Sequence, residues 1–273
     1  MINVPGATIY HEVRGSGPVL LMICGGPTDA GVYAGGAEVL ADRYRVVTYD
    51  PRGNSRSVVS GPAEDQRMDV HGDDAATLLA AFGDEPAYVF GSSGGAQIGL
   101  NLSARYPERV RTLVAHEPPC MQLLPNATEQ KTLAAAVLAT YRAHGPQAAF
   151  TQFQTYAGMN NAPETADATP PPAPSPELMQ TFARIRGNMD FFFAHGMNPI
   201  AGYVPDIAAL RAGPVRTIVG VGESTAGQSP HQAALALASQ LGVVAVGFPG
   251  DHGGYTRHAA AFAERLHDVL RGA

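Results

Sequence analysis

Short apolar runs alternate along the first half of the chain with stretches whose apolar positions recur at helical spacing. Val19-Leu20-Leu21-Met22-Ile23, Tyr44-Arg45-Val46-Val47-Thr48-Tyr49, Ala87-Tyr88-Val89-Phe90 and Arg111-Thr112-Leu113-Val114-Ala115 read as strands. His71 to Phe82 reads as a helix, with Ala75, Leu78, Leu79 and Phe82 on one face. Asp73 and Asp74 suit its first turn, where the helix dipole favours negative charge. Strand and helix patterns exchanging from Ala7 to about Leu113 predict a mainly parallel sheet with helices on both faces. After His116-Glu117, Pro118 and Pro119 stop the last of these strands.

Beyond Pro119 the alternation breaks until about Arg216, which marks an insertion between strands. Its pieces are a helical pattern from Glu129 to His144, the aromatic stretch Phe150 to Tyr156, and a helix over Glu177 to Phe193 carrying Met179, Phe182, Ile185, Met189 and Phe193. Asn160 to Pro176 between them has the composition of an irregular segment, and Thr169-Pro170-Pro171-Pro172-Ala173-Pro174 within it reads as a loop. The sheet resumes at Val215-Arg216-Thr217-Ile218-Val219-Gly220. A helix from about His231 to Leu241, a last strand over Val243 to Phe248 and a terminal amphipathic helix complete the chain.

Candidate chemistry gathers at the strand ends. Gly91-Ser92-Ser93-Gly94-Gly95 lies between a strand and a helix, so Ser93 sits on a sharp turn that glycine on either side makes room for, the setting of a nucleophile. Acyl transfer at a serine needs a base and donors for the oxyanion. Cys24-Gly25-Gly26-Pro27 offers backbone N–H groups with little side chain in the way. Pro249-Gly250-Asp251-His252-Gly253-Gly254 offers an imidazole after the last strand.

With these segments in place, the chain resembles the α/β-hydrolase superfamily over nearly its whole length. The resemblance includes Asp50-Pro51-Arg52-Gly53-Asn54-Ser55-Arg56-Ser57, which is similar to that superfamily's Asp, Arg, Gly and Ser loop. It implies an α/β-hydrolase core at 1–119 and 206–273 with a helical cap at 120–205. It also implies catalytic Ser93 and His252 and an oxyanion hole of the Gly26 and Gly94 N–H groups. The Met and Phe stripe then becomes cap core that can also roof a cavity. Relatives place the triad acid in one of two positions, where Glu117 and Glu223 stand here. Glu117 is preferred because the prolines beside it restrain it, and Glu223 remains the alternative. If Glu117 faces the site, His116 faces away. His195, His231, His258 and His267 read as surface groups, and Cys24, where many relatives have histidine, reads as a small buried replacement.

The implied activity is hydrolysis of a small carboxylic ester, thioester or lactone through an acyl-enzyme. Carbon–carbon bond hydrolysis and a non-hydrolytic, ligand-binding role are the alternatives. A net charge of −6 without a basic stripe argues against nucleic acid as a partner. No ligand-spaced His/Cys cluster and no phosphate loop suggest a metal or a nucleotide cofactor, so none is expected. Two cysteines at strand ends suit a reduced compartment, and neither a signal segment nor a membrane span is evident, so the expected setting is cytoplasmic. Alanine and glycine richness with few lysines fits a bacterial source. A homodimer is left open.

Overall fold

The computed structural model describes residues 1–157 and 175–272. Its strands are β1 (Ile2–Val4), β2 (Ala7–Ile9), β3 (His11–Arg14), β4 (Val19–Ile23), β5 (Arg45–Tyr49), β6 (Val58–Val59), β7 (Ala87–Ser92), β8 (Val110–His116), β9 (Arg216–Gly222) and β10 (Val246–Phe248). Seven of them form one sheet in the order β10-β9-β8-β7-β4-β5-β3. Only the β3–β5 pair runs antiparallel; every other neighbour is parallel. β1, β2 and β6 make a small antiparallel sheet beside it.

Successive strand side chains point to opposite faces, and the apolar core divides accordingly. Leu21 and Ile23 of β4, Val47 of β5, Val89 of β7, Leu113 of β8 and Val219 of β9 join one cluster. Helices α2 (Met68–Ala80), α3 (Gly94–Arg105) and α8 (Ser229–Leu241) cover it. Leu20, Met22, Val46, Phe90, Val114 and Ile218 belong to the other. There the covering helices are α1 (Ala34–Leu40) and, after the short α9 (Gly254–Arg257), α10 (Ala259–Arg271), the amphipathic terminal helix. Runs buried on both faces read as continuously apolar, which is why these strands were legible as runs rather than alternations.

Between β8 and β9 lie α4 (Ala127–Tyr156), α5 (Pro176–Phe191), one π-helical turn at Phe192–Gly196, α6 (Met197–Gly202) and α7 (Ile207–Ala212). α4 is broken at Gly145 (φ 80°, ψ 179°), followed by Pro146. The helical pattern ending at His144 and the aromatic stretch from Phe150 are thus its two arms. Ser175 caps α5 by accepting from Leu178 N–H. The proline-rich run Thr169–Pro174 lies outside the described residues. The inserted helices carry their own apolar cluster, built on Ala134, Val137, Ala149, Phe192, Phe193 and Met197.

Two boundaries differ from the sequence reading. The helix expected over His71–Phe82 begins three residues earlier, because Met68 and His71 themselves are buried by the fold. Asp73 and Asp74 are therefore not first-turn residues: Asp73 pairs with Arg105 and Asp74 with Arg52. The last strand is shorter than Val243–Phe248, since only Val246 to Phe248 pair with β9 and Val244 is 87% exposed.

Candidate active site

Ser93 follows β7 directly and precedes α3. Its backbone stands at φ 56°, ψ −127°, a region that non-glycine residues avoid. The turn is held by Ser93 N–H donating to His116 O at 2.9 Å and by Ala96 N–H donating to Ser93 O at 2.9 Å. The glycines on either side are sterically required. A Cβ on Gly91 would lie 2.4 Å from Gly95 O, and one on Gly95 would lie 2.1 Å from Ile23 O.

Glu117 continues β8 past its end, its N–H donating to Gly220 O at 2.9 Å of β9. A φ of 44° then swings its fully buried side chain out of strand register. One carboxylate oxygen, Oε2, lies 2.6 Å from His252 Nδ1. The other, Oε1, accepts from Gly222 N–H at 2.9 Å and from the Thr225 hydroxyl. Burial alone pushes this carboxyl up. The hydrogen bond and charge of His252, the neighbouring His116 and the Thr225 hydroxyl outweigh it and bring Glu117 down to about 2. Glu223 is exposed, with its side chain beside Gly247.

On the far side of Ser93, Gly26 has φ 58°. Its nitrogen is 3.2 Å from where a Cβ on Gly94 would sit, so the Gly26 and Gly94 backbones adjoin. Gly94 opens α3, where N–H groups of the first turn have no partner within the helix. Carbonyls of this turn are each engaged. Gly25 O accepts from Thr28, Gly26 O and Thr28 O accept from Asn54 Nδ2 at 2.9 Å, and Pro27 O accepts from Asn188 Nδ2 at 2.8 Å.

Ser93 and His252 line one cavity of about 340 Å³. Gly26 and Thr28 form part of its wall, and the inserted helices supply Phe150, Phe153, Phe182, Met189 and Phe192. The Met and Phe stripe divides between two tasks. Phe182, Ile185 and Met189 face the cavity, Phe193 is buried in the inserted helices' own core, and Met179 is half exposed.

The remaining candidates fall elsewhere. His116 lies in an aromatic group with Phe90, Phe248, Phe262 and Tyr255, its ring 6.3 Å from that of His252 and outside the cavity wall, and burial pushes its pKa down to about 4. His231, expected at the surface, is instead mostly buried, with Nδ1 2.9 Å from Thr225 Oγ1 and 3.8 Å from Glu117 Oε1. The turn from Gly222 to Gln228 folds back and brings the start of α8 against the acid, a tertiary effect that helical periodicity does not carry. Cys24 is buried and its thiol lies 3.5 Å from Thr28 O. Burial, reinforced by Asp50, raises its pKa well above the usual value. Burial likewise pushes the Cys120 thiol up to about 12, so neither is a ready nucleophile. Among the described residues, no group of three or more His, Cys, Asp or Glu is placed to hold a metal, and no helix is long and apolar enough to cross a membrane.

Several residues bonded to this site or to the turn beside it carry little mark in the sequence. Thr225 and Asp29 gave no local signal. Asn188 did, as a polar residue three positions after Ile185 on an otherwise apolar helix face.

A mainly parallel sheet that gathers a serine on a strained strand–helix turn, a histidine on a loop and a buried carboxylate beyond the C-terminal ends of its strands defines a recognisable class of protein. A family model for the alpha/beta hydrolase fold matches residues 18–155. The chain is 37% identical over 274 residues to an uncharacterized hydrolase, YraK, of Bacillus subtilis (strain 168), with 98% of this chain and 94% of that one covered. Among solved structures it is similar to a thermophilic esterase from Thermogutta terrifontis, with a TM-score of 0.72, 20% identity and coverage of 97% and 93%. The enol-lactonase from Burkholderia xenovorans LB400 is similar too, with a TM-score of 0.71, 17% identity and coverage of 98% for both chains. The chain belongs to the alpha/beta hydrolase fold family.

Proposed function

We propose that this protein is a serine esterase that cleaves small, largely apolar carboxylic esters, thioesters or lactones through an acyl-enzyme on Ser93. The observation that carries the reading is the 2.6 Å contact between the buried Glu117 carboxylate and His252 Nδ1, in a cavity wall that also holds Ser93. Glu117, ionised at neutral pH, accepts a hydrogen bond from Nδ1–H and so fixes the tautomer that leaves Nε2 free to take the Ser93 proton. Attack on the carbonyl puts negative charge on its oxygen, which the Gly26 and Gly94 N–H groups receive. His252 then protonates the leaving alcohol, thiol or ring oxygen, and water releases the acid by the reverse sequence.

In this reading residues 1–119 and 206–273 form the core that carries the machinery, and 120–205 form a cap that shapes the substrate. The apolar lining favours uncharged acyl or alkoxy groups, since a buried charge without a partner is costly. The test is labelling with a serine-directed fluorophosphonate alongside turnover of p-nitrophenyl esters. Stoichiometric labelling that disappears in Ser93→Ala, together with loss of turnover, supports the reading. Well-folded protein that neither labels nor turns over refutes it.

A further inference from the structure

The turn that carries Gly26 is held on two sides by different parts of the molecule. Asn54, from the loop after β5, grips Gly26 O and Thr28 O. The Pro27 carbonyl between them is gripped by Asn188, which belongs to α5 of the inserted segment. The same Asn188 amide donates to Ser55 Oγ at 2.8 Å and accepts from Ser55 N–H at 2.7 Å, with Ser55 held at φ 49°. Ser55 Oγ in turn donates a hydrogen bond to Asp29 Oδ2 at 2.8 Å. One helical turn earlier on α5, Arg184 reaches that same carboxylate, with Nε 2.6 Å from Oδ2. Asp29 is fully buried, and its Oδ1 accepts from Gly31 N–H.

This network ties the roof of the cavity to the turn beside Ser93. Asn188 is itself buried, and it is the only group on α5 among the described residues that bonds a carbonyl of the Gly25–Thr28 turn. A Pro27 carbonyl without that donor would leave a buried acceptor unpaired, and the turn would relax to satisfy it. Relaxation there moves the Gly26 peptide, whose N–H must meet the oxyanion to within a few tenths of an ångström to be effective.

We propose that Asn188 is a positioning residue for the oxyanion hole, so that the hole is complete only when α5 is docked. α5 also lines the cavity through Phe182, Ile185 and Met189, so a substrate that seats against those side chains favours the docked helix and with it the competent Gly26 turn. The proposal rests on the serine esterase reading above.

The experiment compares wild type with Asn188→Leu, which removes donor and acceptor at similar volume, and Asn188→Asp, which keeps the acceptor for Ser55 N–H but removes the donor to Pro27 O. Tyr141→Phe serves as a control, because the Tyr141 hydroxyl bonds Asp190 on α5 without touching the turn. Turnover of a p-nitrophenyl ester and inhibition by an alkyl boronic acid, whose tetrahedral adduct needs the oxyanion hole, are both measured. In both Asn188 variants kcat is expected to fall ten- to a hundredfold, with KM within about threefold and boronate affinity lost by the same factor as kcat. Tyr141→Phe should leave both unchanged. A merely structural role would lower thermal stability without this matched loss. Folded Asn188→Asp with wild-type kcat overturns the proposal even if Asn188→Leu fails to fold. Wild type that is inert to ester, boronate and fluorophosphonate alike refutes the underlying reading instead.

Discussion

At the residue scale the clearest tension is in Ser93, whose backbone conformation is one that a Cβ disfavours. Such strain costs on the order of 1–3 kcal/mol, and glycine relieves it while paying back about 0.5–1 kcal/mol in unfolded-state entropy. Ser93→Gly is therefore expected to stabilise the protein by about 1 kcal/mol in urea unfolding while abolishing ester turnover; a destabilised variant would show that the turn is not strained. The two carboxylates make a second residue-level contrast. Glu117→Gln keeps the shape of the side chain but cannot hold the imidazole in its working tautomer, and by analogy with other triads the loss of kcat should be on the order of 10³ or more. Glu223→Gln, with an exposed side chain, should leave turnover within twofold. Loss of turnover confined to Glu223→Gln would reverse the assignment.

At the scale of elements, the strand–turn–helix unit around Ser93 tolerates change according to what a new methyl would meet. On Gly95 it would strike Ile23 O at 2.1 Å, which is backbone of the neighbouring strand and has nowhere to go. On Gly99, one turn along α3, it would meet Leu113 Cδ1 at 2.7 Å, the far end of a side chain that can rotate. Gly95→Ala should cost more than 3 kcal/mol or fail to fold, and Gly99→Ala should cost about 1–2 kcal/mol, partly offset by better helix propensity. Equal effects on the unfolding midpoint would contradict this packing.

The same elements explain what the sequence disclosed. Gly91 and Gly95 bracket Ser93 because three backbones meet there, so the local pattern carries the tertiary constraint with it. β4, β5, β7, β8 and β9 were visible because strands buried on both faces must be apolar throughout. The start of α2 was misplaced because Arg67 supplies no side-chain cap, and because Asp74, which resembles a first-turn acid, is spent on Arg52. His231 and Asn188 went unread for a common reason. Their partners, Thr225 with Glu117 and Pro27 with Ser55, are set by how the chain folds back, not by spacing along a helix.

At the scale of the whole molecule, three buried groups held well below their ordinary pKa values make stability fall in acid. His71 and His116 are buried, and burial, aided for His71 by the charge of Arg52, takes each from an ordinary 6.5 down to about 4. The unfolded chain therefore binds more protons than the folded one between these values. Stability is fully present above about 6.5 and drains as the pH falls toward 4, by on the order of 3 kcal/mol for each histidine. Glu117 adds a lower limb of the same sign, because its folded value of about 2 lies below its ordinary 4.5. The stability it supplies is complete above 4.5 and disappears as the pH falls through 2. Urea unfolding from pH 8 to pH 2 should thus show a plateau, a decline beginning near 6.5 and a further decline below 4.5. His71→Leu, which removes a ring whose Nδ1 has no partner among the described residues, should remove about half of the upper decline, leaving the share that His116 carries, without touching the lower one. Glu117→Gln should do the reverse, with its stability deficit relative to wild type shrinking as the pH approaches 2. A wild-type profile that stays flat from pH 6.5 to 4 would mean that the two histidines take up protons without opening the fold, and that the sheet packs around them less tightly than their burial implies.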